Sequence, residues 1–108
     1  MGAKVGERIG AIFGSNKDEV KFLGYGIRLE DEIPVKGVTM MGIDMNEIGR
    51  TNPTLLLDNG DKVYGCECWW GSEEQVKKTL DADDRPTVIV DMQKERDKIK
   101  EMTENENT

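Results

Sequence analysis

The chain has 108 residues, 36% of them apolar and 34% charged, with a net charge of −7 and no histidine. That length suits one domain with a lean core. The missing imidazole removes Ser–His and Cys–His catalysis and histidine-ligated metals, and the acidic balance without a basic stripe argues against duplex nucleic acid. No run reaches the roughly 20 apolar residues of a membrane span. The start, Met1-Gly2-Ala3-Lys4, lacks the apolar stretch of a secretory signal. Gly6 stands where a myristoylation motif wants Ser or Thr. These features predict a cytoplasmic protein with reduced cysteines.

Arg8 to Phe13 reads as a short strand, Gly14 to Glu19 as a polar turn, and Val20 to Leu29 as a second strand, making a hairpin. Adjacent Phe22 and Leu23 put apolar groups on both faces. Gly24 and Gly26 flank Tyr25 and mark either a bulge or a close approach by another group. Glu30 to Pro34 leaves the sheet. Val38 to Ile43 is apolar without a clear period, and Asp44 to Gly49 fits one helical turn with Asp44 as cap and Gly49 as stop. Met40, Met41 and Met45 make this segment flexible apolar surface, suited to packing on a partner or over a pocket.

Asn59-Gly60 between Thr54–Leu57 and Lys62–Tyr64 predicts a hairpin with a two-residue type I′ turn. That register sets Leu55 opposite Tyr64 and Leu56 opposite Val63. Continued as one strand, it places Tyr64, Cys66, Cys68 and Trp70 on one face and Val63, Glu67 and Trp69 on the other. Ser72 and Gln75 form a capping box for a helix to about Leu80, with Val76 and Leu80 toward the sheet. Thr87 to Asp91 reads as a final strand. Met92 to Met102 is a charged segment with Ile99 and Met102 as its apolar stripe, and residues 104–108 read as disordered. The expected domain spans residues 1–90, its folded body from Gly6 to about Val90, followed by a charged helix or tail. The fold class is α+β: an antiparallel sheet of about five strands with one packed helix and that C-terminal helix or tail.

Both cysteines and both tryptophans lie in Gly65-Cys66-Glu67-Cys68-Trp69-Trp70-Gly71. A zinc site lacks two ligands unless two copies pool their thiolates. A disulfide between residues i and i+2 is awkward at a Cα separation of about 6.5 Å. Packing of two small side chains is the simpler reading. Neighbouring tryptophans on a strand face opposite ways. Either both are buried between sheet, helix and methionine loop, or one meets solvent, a partner or a ligand. Candidate ligand-binding residues follow: Trp69, Trp70 or Tyr25 to stack a base, Arg28 and Arg50 to hold phosphate, and Asn52 to read a base edge. Against this, each arginine is equally a solvated charge or a salt-bridge partner of the many carboxylates. No residue qualifies as catalytic or metal-binding, and no cofactor is expected.

The strings Ile9-Gly10-Ala11-Ile12, Leu23-Gly24-Tyr25-Gly26, Asn52-Pro53, Leu57-Asp58-Asn59-Gly60 and the block from Gly65 to Glu73 together resemble small uncharacterised phage and prophage proteins over residues 6–80. In size, lack of catalytic residues and expected assembly the chain is similar to phage sponge proteins, which oppose Thoeris and cyclic-oligonucleotide defences by sequestering nucleotide signals without cleaving them. That resemblance implies a non-enzymatic protein of the host cytoplasm, a homodimer or higher oligomer, with a small nucleotide-type ligand. The alternative is an acidic inhibitor or nucleic-acid mimic that blocks a host protein.

Overall fold

The computed structural model describes residues 3–106, with side chains for residues 3–102. Met1, Gly2 and residues 107–108 of the expected disordered end lie outside the described part. Strands β1 (Arg8–Ser15), β2 (Val20–Glu32), β5 (Asn52–Leu57), β6 (Lys62–Tyr64), β7 (Trp69–Ser72) and β8 (Thr87–Ile89) form one six-stranded sheet. Its order is β6-β5-β2-β1-β7, with β8 beside β2; all pairings are antiparallel except β2–β8. A small hairpin, β3 (Thr39–Met40) and β4 (Ile43–Asp44), leads into α1 (Met45–Ile48). Helix α2 (Glu73–Ala82) precedes β8, and α3 (Met92–Glu106) follows it. The fold is α+β.

The first hairpin forms because Asn16 can turn the chain: its Oδ1 accepts the N–H groups of Asp18 and Glu19 at 2.8 and 2.9 Å. Ala11 pairs with Gly24 and Ile12 with Phe22, so Leu23 is the extra residue of a bulge and Gly24 takes a φ of +139°. Gly26 serves the other purpose foreseen for these glycines. A Cβ there would run into the carbonyl of Leu56, so β5 can lie alongside β2 only if position 26 is bare.

The second hairpin corrects the expected register. Thr54 pairs with Tyr64, Leu55 with Val63 and Leu56 with Lys62, one residue off the type I′ expectation. The Gly60 N–H donates to the Leu57 carbonyl, the Leu57 N–H donates to Asp61, and at the tip only Gly60 has positive φ. This is a three-residue loop, a type I turn followed by a left-handed glycine; a type I′ turn would need positive φ at Asn59 too. Asn59 instead accepts the Asp61 N–H through Oδ1 at 2.9 Å. The slip matters because one residue exchanges the two faces. Leu55, Leu57 and Val63 thereby reach the main core together.

The run after β6 is also corrected. It is not one continuous strand. β6 stops at Tyr64, and residues 65–68 turn and carry the chain to β7, which pairs with β1 at the opposite margin of the sheet. Gly65 permits that crossing: a Cβ would lie 3.1 Å from the Trp70 indole nitrogen and 3.2 Å from the Pro53 ring.

Both sheet faces are covered. Ile9, Ala11, Leu23, Leu55, Leu57 and Val63 form the main core with Ala3 and Met92. Ile12, Val20 and Phe22 pack under Val76 of α2, with Tyr25 and Leu80 at the border. Ser72 caps α2 by accepting the Gln75 N–H at 3.2 Å. Asp44 and Gly49 bound α1 as their residue types suggest: Asp44 accepts the Asn46 N–H at 2.8 Å, and Gly49 sits at φ +74°. Met92 is buried beyond the Val90 boundary expected from composition, and α3 continues through Glu106.

Candidate binding groove

The tryptophan strand places its two rings differently. Trp70, opposite Ala11, packs against the main core, while Trp69, opposite Ile12, is 47% exposed. The Arg28 guanidinium lies 5.3 Å from the Trp70 ring centroid, within cation–π range. Arg28 is already engaged: Nη1 donates to the Ala3 carbonyl at 2.8 Å and Nη2 to Asp31 at 3.0 Å. Tyr25 sits on the other face, edge-on to Phe22 at 4.9 Å. Arg50 is exposed, and Asn52 reaches back to the Arg50 carbonyl at 3.3 Å. Of the six residues nominated from sequence, only Arg28 and Trp70 form an aromatic–cation contact, and Asn52 bonds the Arg50 backbone; none of the six lines a described cavity.

Concavity occurs elsewhere, between the methionine hairpin and α3. One cavity of about 280 Å³ is apolar, lined by Phe13, Met40, Met41, Met92 and Ile99 among others. A second of about 520 Å³ carries the charged side chains of Lys36, Asp44, Asp97 and Lys100, with Gln93. Thr39, Gly42 and Arg96 line both, so the two are lobes of one groove. The larger lobe falls in the size range of small-molecule sites.

Arg96 at the junction is held by Glu67, the middle residue of the Cys–Trp run. Arg96 Nε donates to Glu67 Oε2 at 2.7 Å and Nη2 to Oε1 at 2.6 Å, and the Glu67 side chain is only 4% exposed. A buried pair of this kind survives because further hydrogen bonds satisfy it. Glu67 Oε1 also accepts the Tyr64 N–H at 3.1 Å, and Arg96 Nη2 donates to the Lys62 carbonyl at 3.1 Å. The sequence marks Glu67 as a neighbour of cysteines and Arg96 as one charge in a polar helix. Nothing local joins residues 29 positions apart.

Lys36 and Lys100 take part in no ion pair among the described residues. Arg96, Lys36 and Lys100 face Glu67, Asp44 and Asp97, so the groove lining is electrically balanced in a chain of net charge −7. Against that background the groove is relatively receptive to anions.

The cysteines are free. Burial, then the nearby Glu67 charge, pushes the Cys68 thiol up to about 12, and the same causes raise Cys66. Raised thiols are poor nucleophiles. Among the described residues no group of three or more Asp, Glu or Cys is arranged to hold a metal ion. No helix there is long and apolar enough to cross a membrane.

No protein-family model, curated protein or solved structure matches this chain.

The methionine content had drawn attention to residues 40–45 as a possible pocket cover, and Met40 and Met41 do line the groove. Phe13, Lys36 and Lys100 carry no such signal, since each resembles many other strand or surface residues.

Proposed function

We propose that this is a non-enzymatic binding protein that sequesters a small anionic ligand with a flat apolar moiety, of nucleotide type, in the groove between the methionine hairpin and α3. The support is the pairing of a lobe lined by Phe13 and the methionines with a wider lobe that carries Lys36 and Lys100, joined at Arg96. The ring of the ligand enters between Phe13 and the methionines, whose thioethers adapt to flat groups. Its phosphate meets the unpaired lysines at the wider lobe. This assignment moves the ligand from the tryptophans to the groove. A role in countering host defence, the implication of the sequence resemblance, rests on that sequestration.

Melting curves against a panel of cyclic oligonucleotides and ADP-ribose-type nucleotides test the reading. A member of the panel raises the melting temperature, and the Lys36→Glu, Lys100→Glu double variant abolishes the shift. No shift with any member would sink sequestration of those ligands.

A second reading has its own observation. Met41 is 93% exposed and is the one non-glycine residue with positive φ, +54°, among the described residues. Ile33, Val35, Met40, Ile43 and Ile48 nearby in the chain are also exposed. Strain and apolar exposure together suit a protein-docking tip. Under this reading the protein inhibits a host protein: no nucleotide of the panel shifts its melting temperature, and Met41→Asp removes the inhibition.

A further inference from the structure

The outer edge of β8 carries an inference independent of the groove. β8 pairs only with β2 among the described residues. The Val20 N–H donates to the Pro86 carbonyl and the Val90 N–H to the Phe22 carbonyl, each at 2.9 Å. Positions 86, 88 and 90 therefore turn their polar backbone groups toward β2. By strand alternation Thr87 and Ile89 turn theirs outward. No proline occupies an outward position, and no residue of β8 is charged. All three of its side chains are exposed, Ile89 to 70%. β8 is short, at three residues, but it lacks the charge, proline or covering element with which natural sheets otherwise blunt such an edge.

We propose that β8 pairs with β8 of a second copy, antiparallel about a two-fold axis at Val88, to join two sheets into one. The register is self-complementary. Thr87 of each copy lies opposite Ile89 of the other, so the four outward polar positions meet as hydrogen-bonded pairs, while Val88 faces its own equivalent. The charges agree with it. Continued past the strand, the same register brings exposed Asp84 of one copy to the start of α3 in the other, beside a shallow recess of about 340 Å³ where Lys98 is paired with Glu95 and Lys94, near Asp91, has no ion pair among the described residues. Asp84, which has no ion pair among the described residues, thus finds Lys94 in its partner, and each copy supplies both groups. An unrelated peptide would have to reproduce both the extended backbone and this charge pattern; a second copy contains them already.

The test uses the full chain. Light scattering and sedimentation show a dimer for the wild type. Val88→Cys then forms a reducible covalent dimer under mild oxidation, because opposed non-hydrogen-bonded residues hold their Cα atoms about 4.5 Å apart, within disulfide reach. The wild type, with only Cys66 and Cys68, does not cross-link. Ile89→Lys weakens association by about tenfold or more through edge charge, with an unchanged circular dichroism spectrum. Glu74→Cys, on the exposed face of α2, is the cross-linking control. A wild type that stays monomeric at every concentration overturns the proposal. So does a dimer in which Val88→Cys links no faster than Glu74→Cys, a result that assigns the interface elsewhere. If Ile89→Lys unfolds, the cysteine pair still decides. Nucleotide-induced melting shifts are read separately, so loss of the dimer and loss of the groove reading remain distinguishable.

Discussion

Strands β6 and β8 both end this sheet, yet one edge is closed and the other open. At β6 the Lys62 carbonyl accepts from Arg96 and the Tyr64 N–H donates to Glu67, so an ion pair takes the place of a neighbouring strand. At β8 the outward backbone groups of Thr87 and Ile89 meet no hydrogen-bond partner among the described residues. The contrast shows how few residues it takes to make a strand edge inert. It also gives the Cys–Trp run a purpose beyond its rings. That run turns back beside Tyr64 and holds Glu67 against the β6 edge, where α3 supplies Arg96.

The largest expected effect comes from reopening the closed edge. Glu67→Ala leaves a buried guanidinium without its carboxylate and the Tyr64 N–H without its acceptor, and it should cost about 3–5 kcal/mol in urea unfolding. Replacing Glu67 and Arg96 together by leucines should recover much of that loss. A Glu67→Ala protein as stable as the parent would show that β6 needs no closure.

Next in size, Gly26→Ala tests the seat of β5 and β6 against β2. The added methyl meets backbone, which cannot swing aside, so a loss of about 1–3 kcal/mol is expected in the same assay. The open edge should be untouched, with β8 amide shifts unchanged in NMR spectra.

A smaller effect of opposite sign is expected at the methionine hairpin. Met41-Gly42 occupies a two-residue turn with positive φ at both positions, where asparagine is the favoured first residue. Met41→Asn should stabilise by about 1 kcal/mol, by relief of left-handed strain. If it also weakens binding to a partner, the strain is functional.

The smallest is a titration at the approach to β8. Hydrogen bonds from Arg85, whose Nη1 also holds the Asn16 carbonyl at 2.7 Å, keep the Asp83 carboxyl down at about 2. Its folded-state value lies below the ordinary 3.8, so its contribution is present above pH 3.8 and is lost as pH falls through about 2. Thr87 and Val88 amide resonances should move with an inflection near pH 2. An inflection near the ordinary value would mean the clamp is absent in solution.

Legibility from sequence followed the range of each interaction. The caps at Asp44, Gly49 and Ser72 were readable because a side chain and a backbone N–H two or three residues away decide them. The bulge at Gly24 and the close approach at Gly26 were both foreseen as types, but not which glycine did which. The second hairpin was readable as a hairpin and misread by one residue. Asn-Gly fits a two-residue turn and a three-residue loop alike, and the burial of Leu55, Leu57 and Val63 on one face favoured the latter. Side-chain chemistry alone points to Trp69, Trp70, Tyr25, Arg28, Arg50 and Asn52 as ligand groups, whereas their faces and mutual distances are set by the tertiary fold.

By itself the sequence determined the class of fold, most of the element boundaries and the opposite orientation of Trp69 and Trp70. Those properties depend on neighbours in the chain and on residue counts. Only the tertiary structure decided that β7 crosses to the far margin, that β8 runs parallel to β2, that Glu67 meets Arg96, and that the groove opens beneath the methionines. Each of these requires choosing one distant partner among many chemically equivalent ones. That choice is made by packing both faces of the sheet at once, and no single residue carries it.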